Sequence, residues 1–206
     1  KSKHPNKNFY DLYELKLFLE CAKDYKAKYY TYFMAIGNLG CRPGEALALK
    51  WKDIDFKNKL VSIAHSIDLD ENGKKNYGPT KTASSVRTIP LSDHLSKALK
   101  EYMGETIHNK SNDFIFHMEN GDFYHPSVPS GWIKVIYNNY ALRKITPHGF
   151  RHTLATLLNN GKNDTNIKDV QYLLGHKNAS TTMDIYAHFT KENEEHVADS
   201  INKLDI

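Results

Sequence analysis

Gly40-Cys41-Arg42-Pro43-Gly44-Glu45-Ala46-Leu47-Ala48-Leu49-Lys50-Trp51-Lys52-Asp53-Ile54 is the stretch over which the chain changes its period. Pro43 suits the first turn of a helix, where its missing N–H costs little, and Ala46, Leu47, Leu49 and Trp51 follow as apolar positions. From Ile54 the pattern repeats every two residues: Leu60, Ser62 and Ala64 alternate with Val61, Ile63 and His65, as in a strand. A helical period giving way to a strand period predicts an α+β chain.

Upstream, Leu12, Leu15, Phe18, Leu19 and Ala22 carry the helical spacing within 9–25, and a second helix is expected over 28–38 before Gly40. Downstream, Val86-Arg87-Thr88-Ile89-Pro90-Leu91 reads as the second strand of a small antiparallel sheet. The polar residues 68–85 between the strands, with turn signals at Asn72-Gly73 and Gly78-Pro79, are expected to form a long solvent-facing hairpin region. The rest reads as helical. One helix is marked by Leu95, Ala98, Leu99 and Tyr102, another by Trp132, Val135, Ile136 and Tyr140, and a third runs from Pro147 through Leu158. A further helix, capped by Asn163 or Asp164, ends at Leu173-Leu174 before Gly175, and Ser180 or Thr181 starts the one carrying Tyr186. With no internal repeat or inner linker, the expectation is one mainly α-helical α+β domain over 1–206.

Among 206 residues, 40% are hydrophobic and 25% charged, enough to bury a sizeable core. No apolar run approaches the roughly 20 residues of a membrane helix, so no membrane partner is expected. A net charge of +4 is compatible with nucleic acid but does not select it. Cys21 and Cys41 are the only cysteines and make no metal-binding pair, so they read as two buried thiols of a reducing, cytoplasmic setting. From a start at Lys1-Ser2-Lys3 rather than at Met, a fragment whose N-terminal portion has been left out is expected.

Four separated pieces carry the chemistry: Arg42; Lys81; His148 with Arg151; and His176 with Tyr186. Each alone has a plain explanation as a solvated charge, a helix-end cation or a packed tyrosine. Together they match what phosphodiester transesterification requires. Two guanidiniums can clamp non-bridging oxygens, a tyrosine can attack once its proton is taken, and the departing oxygen needs an acid.

The order of these pieces gives a specific resemblance. Gly40 to Ile54 resembles the first signature box of tyrosine recombinases and phage-type integrases. Thr80-Lys81-Thr82, with Ser85, Arg87 and Ile89-Pro90-Leu91, resembles the family's β-hairpin lysine segment. Thr146-Pro147-His148-Gly149-Phe150-Arg151-His152-Thr153 resembles its His-x-x-Arg box, and Leu173-Leu174-Gly175-His176-Lys177-Asn178 through Tyr186-Ala187-His188 its nucleophile box. The resemblance implies the catalytic-domain fold of that family, with its helical core-binding and small arm-binding domains absent from this chain. It implies that Tyr186 attacks the scissile phosphate and forms a 3′-phosphotyrosyl link, while Arg42 and Arg151 hold the non-bridging oxygens. Lys81 is then the general acid, His148 assists proton transfer, His176 hydrogen-bonds the phosphate, and Glu45 supports the site without reacting. Neither metal nor ATP is called for.

The implied partners are double-stranded DNA, sister protomers in a synaptic tetramer, and room for an accessory excision factor. The pattern is closest to integrases of Gram-positive conjugative transposons and phages, so a bacterial enzyme of integration and excision is expected. Val197, Ile201 and Leu204 form an apolar stripe in a tail over 192–206, expected to dock in trans on a neighbouring protomer; packing onto its own domain is the alternative. Three other readings stay open. A type IB topoisomerase would use the same covalent link without exchanging partners. A DNA-binding protein would use the same cations without chemistry. A metal-dependent hydrolase would use His148 and His152, although Gly149 stands where its glutamate base should be.

Overall fold

The structure, a computed structural model, describes residues 7–80, 85–159, 166–175 and 191–206. Helix α1 (Leu12–Tyr25) starts at a reciprocal cap: the Asp11 carboxylate accepts from the Glu14 N–H at 2.9 Å, and Glu14 accepts from the Asp11 N–H at 3.0 Å. Helix α2 (Ala27–Leu39) is buried without interruption from Thr31 to Leu39. A helix apolar on all sides needs neighbours all round, and α2 has them in α1, the short α3 (Pro43–Ala48), α4 (Asp93–Glu105) and α6 (Pro147–Asn159). It is the axis of the domain.

The apolar spacing on α1, α2 and α6 meets in an aromatic cluster. Phe18 and Phe33 flank Phe150 with ring centroids 4.8 and 4.9 Å away, and Tyr10 meets Phe150 edge-on. Phe150, sealed from solvent, fixes the rotation of α6 and therefore the direction of the residues on either side of it. Helix α5 (Val128–Tyr140) closes this side, with the Tyr137 hydroxyl donating to the Ile145 carbonyl at 2.5 Å.

The expected strands pair as a three-stranded antiparallel sheet in the order β1 (Ile54–Asp55), β2 (Leu60–Ile63), β5 (Arg87–Pro90), with Val61 opposite Ile89. The intervening segment forms the expected hairpin, β3 (His65–Leu69) against β4 (Lys75–Pro79), with Ile67 opposite Tyr77, but it is not wholly solvent-facing. Its polar composition concealed two devices. The Asp70 carboxylate accepts from the N–H groups of Asn72 and Lys74 and so sets the turn. Ile67 is fully buried, in a strand packed against α3.

Helix α7 (Ile167–Leu174) is capped by Asn166, whose side chain accepts from the Lys168 N–H at 3.0 Å, and ends at Gly175. The caps expected at Asn163 or Asp164 lie outside the described residues, as do the expected helix start at Ser180 or Thr181 and the residues Lys81, His176 and Tyr186.

The tail forms helix α8 (Lys191–Leu204), and within this one chain it takes the alternative of packing onto its own domain. Val197, Ile201, Leu204 and Ile206 are all buried within this one chain, and α8 packs on β5 and α7. The Asn202 side chain accepts from the Asp93 N–H at 2.9 Å at the start of α4. The apolar stripe therefore finds its cover in cis. Among the described residues no helix is long and apolar enough to cross a membrane.

Candidate active site

Helix α2 ends at Gly40, whose φ of +57° is a left-handed conformation that glycine adopts without steric cost. A Cβ there would lie 2.9 Å from Leu174 Cδ2 and 3.2 Å from Leu154 Cδ2, so glycine also permits close packing of α2, α6 and α7. The Gly40 carbonyl accepts from Arg151 Nη1 at 2.7 Å, and Arg151 Nη2 donates to the Leu174 carbonyl. Arg151, only 5% exposed, thus ties the ends of α2 and α7 to α6.

Two residues beyond Gly40 stands Arg42, the N-cap of α3. Pro43 at the first helical position and Glu45 at the third are why the chain turns here. Glu45 Oε2 accepts from the Arg42 backbone N–H at 2.9 Å, and Oε1 from Arg42 Nη1 at 2.8 Å. The Arg42 side chain stays 40% exposed, whereas that of Glu45 is 2% exposed. Beneath Glu45 lies Arg87, whose Nη2 donates to Oε2 at 2.9 Å from a side chain fully removed from solvent. Its Nε donates to the Leu173 carbonyl and its Nη1 to the Ser85 carbonyl, each at 2.9 Å.

The electrostatics follow from this packing. Burial alone would push the Glu45 carboxyl up, but Arg87 and Arg42 hold it below the usual carboxylate range. Arg151 is pulled down to about 10 by burial and by the like charges of Arg42 and Arg87, with Glu45 opposing; it stays charged at neutral pH. His148, exposed on α6, is lowered by desolvation, then by Arg151, His152 and Arg42. Glu45 opposes the shift, and the net lowering favours the neutral imidazole, the form able to accept a proton. Cys41 is buried, and burial followed by Glu45 pushes its thiol up to about 12, which rules it out as a nucleophile. Cys21 is only half-buried, so the expected pair of buried thiols holds for one of the two.

Arg42, Arg151, His148 and Glu45, separated in sequence, are thus brought together. Two guanidiniums, those of Arg42 and Arg87, pair with the Glu45 carboxylate, and Arg151 lies near enough to feel all three charges, so the cluster carries excess positive charge and accommodates an added anion. Lys81, His176 and Tyr186 fall outside the described residues. Sequence reasoning passed over Arg87. Its signal was present: Arg87 shares the inward face of β5 with buried Ile89, and a charge on that face demands a partner. Among the described residues no three His, Cys, Asp or Glu side chains are grouped as metal ligands.

Comparison with known proteins shows the family of the chain. The Phage integrase family matches residues 9–193. A XerC-like tyrosine recombinase of Caldanaerobacter subterraneus is 32% identical over 94% of the chain and 53% of its own length. The transposase of transposon Tn916 from Enterococcus faecalis is 31% identical over 86% of the chain and 46% of its own length. Among solved structures, the Tn1549 transposon integrase in complex with circular intermediate DNA superposes with a TM-score of 0.69 at 27% identity, covering 92% of this chain and 64% of that one. The XerH site-specific recombinase bound to difH substrate gives a TM-score of 0.61 at 27% identity, over 90% of this chain and 51% of that one. The chain spans about half the length of the curated relatives it matches.

Proposed function

This chain belongs to the phage integrase family of tyrosine recombinases, and we propose that it is the catalytic part of a site-specific recombinase that cuts and rejoins DNA to integrate and excise a mobile element. The observation that carries this reading is the gathering of Arg42, Arg151 and His148 close enough to feel one another's charge, with Arg42 held by the buried Glu45 carboxylate. A backbone phosphate supplies the missing negative charge, and two guanidiniums offer planar forks to its non-bridging oxygens. That the relatives include the transposase of transposon Tn916, and a transposon integrase solved with circular intermediate DNA, supports the mobile-element role.

In the proposed reaction the Tyr186 hydroxyl attacks the scissile phosphorus while His148 assists removal of its proton. The bond to the 5′ oxygen breaks, and Lys81 protonates that oxygen as it leaves. Arg42 and Arg151 neutralise the charge gathering on the non-bridging oxygens, and His176 hydrogen-bonds the phosphate. The phosphotyrosyl bond preserves the energy of the broken one, so a 5′-hydroxyl from a partner strand can reverse the step and reseal the joint. Exchange between partners calls for a synaptic assembly of protomers on DNA, with an accessory factor available to favour excision.

The test uses duplexes tiled across the DNA flanking the gene, each nicked so that the cleaved end is lost. Wild type should accumulate a covalent protein–DNA adduct on one of them, and Tyr186→Phe should bind that duplex equally yet form none. An adduct that persists in Tyr186→Phe, or none with wild type, refutes the reading. Joint molecules in a two-site assay then distinguish a recombinase from an enzyme that only relaxes supercoils.

A further inference from the structure

Arg87 is the most deeply placed charge of the cluster and has no part in the chemistry above. Its three kinds of donor nitrogen serve three separate segments. Nη2 holds Glu45 on α3, Nη1 holds the Ser85 carbonyl just before β5, and Nε holds the Leu173 carbonyl at the end of α7, all at 2.9 Å. In sequence, Ser85 follows Lys81 by four residues and Leu173 precedes His176 by three, while Glu45 fixes the Arg42 guanidinium by direct hydrogen bond. One planar group thus joins the stretches that lead to three of the functional positions.

We infer that Arg87 is a positioning residue for phosphate cleavage: through Glu45 it sets the angle of the Arg42 fork, and through Ser85 and Leu173 it keeps the flanking segments in register with that fork. The inference deepens the recombinase reading and rests on it. Charge alone does not fill the role. A buried salt bridge is poor evidence of stability, because desolvating two ions offsets their attraction. What the guanidinium adds is geometry, since its planar donors reach three acceptors that one ammonium cannot serve together. Glu45 is correspondingly constrained: Oε2 takes Arg87 and the Arg42 backbone N–H, which leaves Oε1 directed at the Arg42 side chain.

The experiment compares Arg87→Lys with wild type in single-turnover cleavage of the duplex that traps the adduct. One version carries the natural scissile phosphate and the other a methylphosphonate, which lacks one non-bridging negative charge. Arg87→Lys should bind DNA normally but cleave the phosphate about tenfold or more slowly, the size of effect expected when a transition-state donor is misaligned. On the methylphosphonate, which needs less of the Arg42 clamp, the gap should shrink to about threefold or less. Glu45→Gln should show the same selective loss, and it decides the matter if Arg87→Lys fails to fold. Undiminished cleavage of the phosphate overturns the inference, as does an equal loss on both substrates, which would mark Arg87 as a purely structural residue. Absence of an adduct with wild type defeats the recombinase reading itself, and this inference with it.

Discussion

At the scale of single residues, the site turns on which groups are charged at neutral pH. His148 is lowered by desolvation and by the cations around it, so in the free protein it loses its proton below the ordinary histidine value. DNA reverses the sign of its surroundings, because a bound phosphate stabilises the imidazolium and raises the pKa. As a base, His148 works only when neutral, so activity is lost as pH falls through its pKa. The acid limb of kcat/KM, which reports free enzyme, should then lie at lower pH than the acid limb of kcat, which reports the complex. Both limbs should be altered in His148→Gln; coincident limbs unaffected by that substitution would remove His148 from proton transfer. Arg42, Glu45, His148 and Arg151 could be picked out in the sequence, because phosphate chemistry needs cations in a recognisable order, and the structure brings these four near one another; Lys81, His176 and Tyr186 lie outside the described residues. Arg87 was not legible, since its function lies in where its fork points, and a strand position reveals only that it faces inward.

At the scale of elements, the positions of Arg42 and Glu45 depend on how closely α3 approaches β3. At Gly44 a Cβ would stand 2.4 Å from the Ile67 carbonyl oxygen and 2.9 Å from Ser66 Oγ. The first contact is backbone, which no rotamer change can relieve, so in Gly44→Ala the helix or the strand must shift. Overpacking of this kind costs about 1–3 kcal/mol, and the shift acts on the helix that carries Glu45 and is capped by Arg42. Gly44→Ala should therefore lower the denaturation midpoint and slow adduct formation, whereas an unchanged midpoint would show that the two elements slide apart freely. Here the sequence was half legible. Helix spans came out within a few residues, because burial of one face imposes the 3.6 period. The β3–β4 segment read as a solvent-facing hairpin region from its turn signals, but its strand bounds and its packing did not read, because its order comes from Asp70 hydrogen bonds and from one buried side chain, Ile67, rather than from a repeating pattern.

At the scale of the whole molecule, the open question in the sequence was what covers the apolar stripe of the tail. Periodicity says that Val197, Ile201 and Leu204 seek burial but not whether the covering surface belongs to the same chain. The structure supplies that surface from β5 and α7, which also carry Arg87 and the Leu173 and Leu174 carbonyls it and Arg151 use. The tail therefore braces the back of the catalytic cluster. The ion pair of Asp205 with Lys16 and its contact with His94 are exposed and contribute little, so the apolar contacts dominate. Full burial is worth roughly 1.5–3 kcal/mol for a large aliphatic side chain, and truncation after Lys191 removes three of them together with Ile206. A loss of several kcal/mol in a chain of this length corresponds to a fall in Tm on the order of 10 °C. Because the contact is intramolecular, the fall should be the same at low and high protein concentration, whereas a tail held by a neighbour would make the Tm of the intact chain rise with concentration. Thermal melts of both chains across a hundredfold range of concentration separate the two, and a concentration-dependent Tm, or truncation without effect, would return the tail to a role between protomers.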